Sequence, residues 1–320
     1  MTIKLGVVMD PLEGIQYKKD TTFAMMLEAQ TRHWEIHVME MDDLYLRDGV
    51  TFATSRTVEL FEDPHQWYQY HQQNDIRLQD LDVILMRKDP PFDLEYIYAT
   101  YLLECAESAG VLVVNKPQSL RDVNEKMYTA WFPQCAPPTL VSRSQQQFRK
   151  FLAEHHKIVL KPLDGMGGAS IFVMTEDNPN ISVILEIMTE HGTRSVMAQQ
   201  YLPEISQGDK RILVVDGKAV PYALARIPAP GESRGNLAAG GTAKGMELSE
   251  RDHWIVEQVA PTLIEKGLLF VGIDVIGDYL TEINVTSPTC ARELDALYGL
   301  NIAGDFFDGI ENRLRKEVSE

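Results

Sequence analysis

The chain has 320 residues, 44% of them hydrophobic and 24% charged, a composition that excludes a disordered or fibrous chain and is typical of a folded globular protein. Its 30 lysines and arginines stand against 47 aspartates and glutamates, which gives a formal net charge of -17. Such an excess of negative charge repels both a phosphate backbone and an anionic membrane surface. We therefore expect neither nucleic acid nor a membrane as a partner.

The cysteines and the apolar runs indicate where the protein works. Cys105, Cys135 and Cys290 lie far apart without a Cys-x-x-Cys spacing, so the sequence supports neither a disulfide framework nor a zinc cluster. The first apolar run ends at Asp10-Pro11 and is too short for a signal peptide. No run reaches the roughly 18 apolar residues that a membrane helix needs. We expect a cytoplasmic protein.

The first third of the chain alternates between strand and helix patterns. Apolar runs at residues 3–9, 34–41, 83–86 and 111–114 predict strands, and helical spacing at 20–30 and 94–108 predicts helices. This order predicts an open α/β domain, which we place at residues 1–122. Residues 46–80 are polar and aromatic, and their pattern assigns no structure.

The remainder predicts an α+β protein in two modules, at residues 123–202 and 203–320. The first module has predicted strands at 139–141, 158–161, 171–174 and 196–202, with helices at 144–155 and 181–189. The second begins with a hairpin that turns at Asp216-Gly217. Residues 229–245 are rich in glycine and have no period, which is typical of a functional lid or a disordered segment. A helix at 250–266, strands at 269–276 and 279–285, and a C-terminal helix complete the prediction.

A glycine turn, residues 161–170, follows one of these strands. Glycines allow backbone N–H groups to wrap phosphate oxygens, and Lys161 adds a point charge at the strand end. The segment is neither a Walker A motif nor a dinucleotide fingerprint, because a β-like run and not a helix follows it. A plain tight β-hairpin turn explains the glycines equally well.

An acidic hairpin near the C-terminus predicts a metal site. Glu282 and Asn284 share one face of a strand, and a three-residue loop at 277–279 would pair Asp274 with Glu282 on that face, whereas a two-residue turn would break the register. Oxygen ligands that leave room for water and phosphate suit Mg²⁺. The alternative is a solvated acidic face of an antiparallel hairpin.

Basic residues are few, and several flank these motifs. Arginine forks recognise carboxylate and phosphoryl oxygens, and Arg226 and Arg234 bracket the start of the glycine-rich segment, where a lid could close over a reacting centre. Arg87 follows a predicted strand and is a candidate for binding a substrate carboxylate. Individually such residues are more often surface charges, and residues 86–93 equally fit a plain Pro-rich loop. There is no Gly-x-Ser-x-Gly or His-Glu-x-x-His motif, and Cys290 has no histidine nearby, so we expect a structural thiol there.

Together these motifs resemble the ATP-grasp ligases, and long strings spread from Asp10 to about Cys290 are similar to the bacterial glutathione synthetase family. The strings are MRKDPPFD, NKPQSLRD, LKPLDGMGGASIF, MAQQYLP, RGNLAAGG and LTEINVTSPTC. The resemblance implies an ATP-grasp fold preceded by a Rossmann-like α/β domain. It also implies a homotetramer.

The resemblance implies a role for each matching residue. Phosphates of ATP would contact Lys126, Lys161, Gly165, Gly167 and Gly168. Adenine would lie against Gln199, Gln200, Tyr201 and Leu202, and ribose against Asp209. Mg²⁺ or Mn²⁺ would bind Asp274, Glu282 and Asn284. The transferring phosphoryl group would be stabilised by Arg211, Arg226 and Arg234, and the peptide substrate would contact Arg87, Ser287, Pro288 and Thr289.

The implied reaction joins γ-glutamylcysteine to glycine. ATP converts the cysteinyl carboxylate to an acyl phosphate, and the amine of glycine displaces phosphate without an enzyme nucleophile. One departure from the family lies at residues 242–245, where Thr242-Ala243-Lys244-Gly245 replaces an arginine and an acidic-proline stretch. Two alternatives stay open: a ligase for a different peptide or amino acid, and a non-catalytic ATP-binding protein that keeps the fold.

Overall fold

A computed structural model describes residues 2–165, 170–229, 231, 235 and 240–317. The first sheet has the order β3-β4-β2-β1-β6-β7, with β5 paired to β4. Strands β2, β1, β6 and β7 are parallel, and β3, β4 and β5 are antiparallel. The elements are β1 Lys4–Val8, α1 Thr21–Thr31, β2 Glu35–Met39, β3 Leu44–Arg47, β4 Val50–Leu60, β5 Tyr68–Arg77, β6 Val83–Met86, α2 Leu94–Ser108, β7 Leu112–Val114 and α3 Pro117–Asp122.

The predicted strands and helices of this part are confirmed. Strands β1 and β6 are apolar on both faces because α1 covers one side of the sheet and α2 the other. Helices α1 and α2 are both capped by an aspartate. Asp20 accepts a hydrogen bond from the Phe23 N–H at 2.7 Å, and Asp93 accepts one from the Tyr96 N–H at 3.0 Å. The unassigned residues 46–80 form most of the antiparallel β3, β4 and β5 extension.

The second sheet is antiparallel, in the order β10-β9-β11-β8. Its alternation puts Ile158 and Leu160 into a core with α4 and α5, and turns Val159 and Lys161 to the opposite face. That open face becomes one wall of the site described below. The elements, all close to their predicted bounds, are β8 Thr139–Ser142, α4 Gln145–His155, β9 Lys157–Pro162, β10 Phe172–Thr175, α5 Ile181–Met188 and β11 Val196–Gln200.

The third sheet, also antiparallel, has the order β15-β14-β12-β16-β17, with β13 paired to β12. The prediction of irregular structure is wrong from Thr242 onward, because β15 pairs along the whole of β14. The single C-terminal helix is two, broken at Gly299, whose φ of +65° ends the first. The elements are β12 Asp209–Val215, β13 Lys218–Ala219, β14 Tyr222–Ile227, β15 Thr242–Glu247, α6 Glu250–Glu265, β16 Phe270–Ile276, β17 Tyr279–Asn284, α7 Ala291–Tyr298 and α8 Ile302–Glu317.

The first and third sheets share their hydrophobic cores. Helix α6 packs into a core with α2, and α8 packs into a core with α1, where Trp34 and Phe307 meet with ring centres 5.0 Å apart. Each sheet lies within one of the three predicted segments, and the boundaries at 122 and 202 stay predictions. No helix in the described part is both long enough and apolar enough to span a bilayer.

Candidate active site

A cavity of about 360 Å³ lies between the open face of the second sheet and the third sheet. Strands β9 and β11 form one wall, and β12, β17 and the turn after β17 form the other. Most of the residues predicted for the site line it, namely Lys126, Lys161, Gly165, Gln199, Gln200, Tyr201, Leu202, Asp209, Arg211, Arg226, Glu282, Asn284, Ser287, Pro288 and Thr289.

Some predicted residues are elsewhere, and other residues join the lining. Asp274 and Arg87 are buried behind the wall and do not line the cavity. Gly167, Gly168 and Arg234 lie outside the described residues. The sequence interpretation missed Glu125 and Thr286, which line the cavity. Glu125 directly precedes Lys126, and this adjacency to a predicted site residue is the sequence feature from which Glu125 could have been predicted.

Two buried lysines face the cavity in contrasting surroundings. The Lys126 ammonium contacts Glu125 Oε1, donates a hydrogen bond to the Gly165 carbonyl at 2.6 Å and lies 3.8 Å from Glu282 Oε1. Although burial opposes it, the charges of Glu282 and Glu125 raise the pKa of Lys126. Lys161 has no ion pair among the described residues, and burial lowers its pKa. Both positions suit a lysine that meets an anion in the cavity.

The end of β11 supplies polar groups on the wall formed by the second sheet. Gln199 donates a hydrogen bond through Nε2 to Thr139 Oγ1 at 3.2 Å, while its buried Oε1 has no partner among the described residues. A buried acceptor without a donor costs free energy unless a ligand supplies the donor. The next residues are held in place by the Tyr201 N–H, which donates to the Lys157 carbonyl at 3.0 Å, and by the Lys157 ammonium over the Tyr201 ring.

An ionic network of two arginines and two aspartates crosses the third sheet. Asp274 accepts hydrogen bonds from Arg211, with Nη2 to Oδ2 at 3.0 Å, and lies 2.8 Å from Arg226 Nη2. Arg226 also contacts Asp209. Despite burial, the two guanidinium groups lower the pKa of Asp274 far below its usual range. Burial raises the pKa of Asp209. Asp209 Oδ1 and Arg226 Nε have no partner among the described residues, so both have capacity left for a ligand.

The acidic hairpin has the predicted pairing but not the predicted turn. Ile276 pairs with Tyr279 across a two-residue turn, in which Gly277 has a φ of +56°. The three-residue loop on which the pairing was made conditional does not form, and the turn is the two-residue alternative. A β-bulge at Thr281 shifts the register by one residue, so Asp274 nevertheless lies opposite Glu282. The Thr281 hydroxyl donates to the Asp274 carbonyl at 3.1 Å and supports the bulge.

Comparison with known proteins decides the family. A model of the prokaryotic glutathione synthetase N-terminal domain matches residues 3–121, and a model of the prokaryotic glutathione synthetase ATP-grasp domain matches residues 125–299. The glutathione synthetase of Vibrio vulnificus strain YJ016 is 61% identical over 99% of this chain and 100% of its own. That of Vibrio cholerae is 63% identical over 98% of both chains. The chain belongs to the glutathione synthetase family. It is an ATP-dependent ligase.

Solved structures show the same fold at much lower identity. D-cycloserine synthetase DcsG has a TM-score of 0.67 at 15% identity, covering 97% of this chain and 99% of its own. The ATP-grasp ligase PsnB, in a complex with a precursor peptide and AMPPNP, has a TM-score of 0.62 at 17% identity and covers 98% and 99%. These likenesses confirm the predicted ATP-grasp fold.

In this family member, Arg87 supports a turn from beneath. Its Nη2 donates to the Pro288 carbonyl at 2.9 Å, its Nε donates to Thr22 Oγ1 at 3.0 Å, and burial lowers its pKa to about 10. Pro288 also packs against β16, where a Cβ at Gly272 would lie 2.9 Å from the Pro288 ring. The geometry therefore gives Arg87 a supporting role, and its contact with substrate stays a prediction.

The chemistry of the donor set tests the expected metal site. Among the described residues, no three His, Cys, Asp or Glu side chains are arranged to hold a metal by themselves. Glu282 is 20% exposed to the cavity, and Asn284 donates through Nδ2 to the Gly272 carbonyl at 3.2 Å, which leaves its Oδ1 as an acceptor. Asp274 is occupied by the two arginines. Glu282 and Asn284 thus fit a cation whose remaining ligands are phosphate and water.

Proposed function

We propose that this chain ligates γ-glutamylcysteine and glycine through an acyl phosphate, giving glutathione, ADP and phosphate. The observation that carries the proposal is the convergence of Lys126, Lys161, Arg211 and Arg226 on one cavity of a chain whose net charge is -17. Four cations in one place within an acidic protein suit a small anionic substrate, and the family's named activity supplies its identity.

We assign the nucleotide to the wall formed by the second sheet. The adenine lies against the β11 end, where Gln199, Gln200, Tyr201 and Leu202 line the cavity. The ribose lies beside Asp209. The phosphates lie between Lys126 and Lys161, beside Gly165. The predicted contacts of Gly167 and Gly168 fall outside the described residues. The spare acceptor on Gln199 supports this orientation because the 6-amino group of adenine is a donor.

We assign the metal, Mg²⁺ or Mn²⁺, to the acidic hairpin. Glu282 and Asn284 would hold it directly, and Asp274 would join them when the arginines turn to substrate. When bound, the metal would offset negative charge on the phosphates of ATP. The close approach of Glu125 and Glu282 supports the assignment, since burial and the neighbouring Glu282 charge raise the pKa of Glu125.

The chain's own residues orient the reactants and offset charge. Arg211 and Arg226 face the carboxylate and the transferring phosphoryl group with bidentate forks. The prediction that Arg234 joins them concerns a residue outside the described part of the chain. Contacts from Ser287, Pro288 and Thr289 orient the peptide so that its cysteinyl carboxylate oxygen attacks the terminal phosphorus and ADP leaves. The amine of glycine then attacks the acyl carbon and phosphate leaves. Burial raises the pKa of the Cys290 thiol, which favours the unreactive protonated form and a reaction without an enzyme nucleophile.

Release of ADP tests the proposal. The purified chain is given Mg²⁺ and ATP with γ-glutamylcysteine alone, with glycine alone, with both, and with other amino acids in place of either. We expect rapid ADP release only with γ-glutamylcysteine and glycine together, and mass spectrometry should find glutathione as the product. Equal release without γ-glutamylcysteine would contradict the assignment of substrate and indicate a ligase for another peptide. No release with any pair would indicate a non-catalytic ATP-binding protein.

We further propose a homotetramer in a reducing cytoplasm. The three cysteines are free, which suits a reducing compartment. Sedimentation velocity at several protein concentrations tests the assembly, and a single species with the mass of one chain would contradict it. Fractionation of cells that express the chain with a small tag tests the compartment, and recovery with the membrane or outside the cell would contradict it.

A further inference from the structure

Two protein acceptors use hydrogen-bond donors of the Lys126 ammonium. Its side chain is 4% exposed, and its nitrogen contacts Glu125 Oε1 and the Gly165 carbonyl, with Glu282 Oε1 at 3.8 Å. The ammonium has three N–H donors and protein acceptors take two of them, so a phosphate at Lys126 either shares the ammonium with these acceptors or displaces one of them. Glu125 is the one whose removal leaves both the hairpin and the glycine turn intact.

The Glu125 backbone is hydrogen-bonded to the acidic hairpin. The Ile283 N–H, between Glu282 and Asn284 on β17, donates to the Glu125 carbonyl at 2.7 Å. On the other side, Asn124 Oδ1 accepts from the Lys126 N–H at 3.1 Å, and Asn124 Nδ2 donates to the Leu163 carbonyl at 2.9 Å. The Glu125 carboxylate is thus held between the hairpin and the start of the glycine turn.

The second lysine of the cavity provides the contrast. Lys161 has no carboxylate within ion-pair distance among the described residues, although it too is buried and faces the cavity. The acidic partner is therefore specific to Lys126. An ammonium in a buried place needs no carboxylate for binding phosphate, so the Glu125 contact calls for a separate explanation.

We propose that Glu125 is a positioning residue that makes nucleotide binding depend on the metal. This inference rests on the proposed contact between Lys126 and the phosphates of ATP. Without a metal, the Glu125 carboxylate competes with phosphate for the Lys126 ammonium and also repels the phosphate. When Lys126 moves to phosphate, the Glu125 and Glu282 carboxylates face each other without a cation between them. A divalent cation that enters with ATP removes this repulsion.

Calorimetric titration with ATP in the presence of a chelator tests the inference. In Glu125→Gln the competing charge is gone, and we expect metal-free ATP to bind about tenfold more tightly than to the unmodified chain, the effect of one hydrogen bond to a charged group. The Mg²⁺ concentration for half-maximal ADP release should rise in the same variant. The matched control is Glu104→Gln, which removes the ion pair with Arg121 outside the cavity and should change neither quantity.

A double-mutant cycle with Lys126→Met identifies the route of the effect. In the Lys126→Met background, Glu125→Gln should improve metal-free ATP binding by much less than tenfold, because the ammonium for which Glu125 and phosphate compete is absent. If Glu125→Gln does not fold, Glu125→Asp takes its place, because its carboxylate is withdrawn by one methylene and should also tighten binding.

The outcomes separate this inference from the proposed function. If the unmodified chain binds no ATP even with Mg²⁺ present, or Lys126→Met leaves ATP binding unchanged, the proposed function fails at that residue. If ATP binds and Lys126→Met weakens it, but Glu125→Gln binds metal-free ATP equally or more weakly, this inference alone is overturned. A purely structural role for Glu125 predicts the latter result, with a lower unfolding temperature.

Discussion

Replacement of Asp274 by asparagine should destabilise the third sheet strongly. The carboxylate is 3% exposed and meets two guanidinium groups that are 8% and 6% exposed. Asparagine keeps the shape and one acceptor oxygen but leaves the Arg211 and Arg226 charges without their shared partner. Removal of one member of a buried ion pair costs about 3–5 kcal/mol, and we expect about 3 kcal/mol because one acceptor stays. At roughly 2–4 °C per kcal/mol, the unfolding temperature falls by about 6–12 °C.

Thermal unfolding followed by circular dichroism measures this change. The matched control is Asp80→Asn, which breaks an equally well-formed arginine fork, with Arg77 Nε and Nη2 at 2.9 and 2.8 Å, on the protein surface. Because solvent screens that pair, the control should unfold at the temperature of the unmodified chain. An equal, small effect of both substitutions would refute the argument from burial.

The difference in unfolding temperature between the unmodified chain and Asp274→Asn should also depend on pH, and the direction of that dependence can be predicted. The arginines lower the pKa of folded Asp274, whereas the unfolded carboxyl titrates near 3.8. The ion pairs therefore stabilise the folded chain fully above about pH 4, and their contribution declines as the pH falls below that value. The gap between the unmodified chain and Asp274→Asn should narrow in acid. A gap that widens in acid would mean that Asp274 is protonated in the folded protein.

Three other substitutions test the cavity. Glu282→Gln should lower the rate of ADP release by about two orders of magnitude or more and leave the unfolding temperature within error, since its side chain is 20% exposed. Gln199→Met removes the spare acceptor and should raise the KM for ATP about tenfold with little change in kcat, as steady-state kinetics would show. Cys290→Ser should keep kcat within about threefold, because loss of a true nucleophile would cost several orders of magnitude.

The acidic hairpin shows which structural features can be predicted from the local sequence and which cannot. Alternation along β17 predicted that Glu282 and Asn284 share a face, and Ile283, which lies between them on the opposite face, belongs to the core of the structure. The pairing of Asp274 with Glu282 was predicted correctly from a wrong loop length. A two-residue turn and a bulge together give the same register as a three-residue loop. Bulges depend on the neighbouring strands, so a single sequence carries little signal for them.

Partners distant in sequence were harder to predict than the secondary structure. The arginines and acids of the site were found as separate candidates, but nothing in their spacing joins Arg211 to Asp274 or places Arg87 beneath Pro288. Within the unassigned residues 46–80, β5 is exposed on most of its length and so lacks the apolar alternation of a half-buried strand. Strand β15 was hidden for the same reason, since five of its six residues are exposed.

The pairing of charges explains how an acidic protein can keep a cationic site. Three of the four described cations in the cavity wall already have acidic partners: Arg211 with Asp274, Arg226 with Asp209 and Asp274, and Lys126 with Glu125. The resting site is therefore close to neutral, which limits the cost of burying its charges. In the proposed site an incoming nucleotide would compete with these partners, and a divalent cation that comes with it would compensate the carboxylates that are released. The negative charge of the chain then favours the metal complex of ATP over the free tetra-anion.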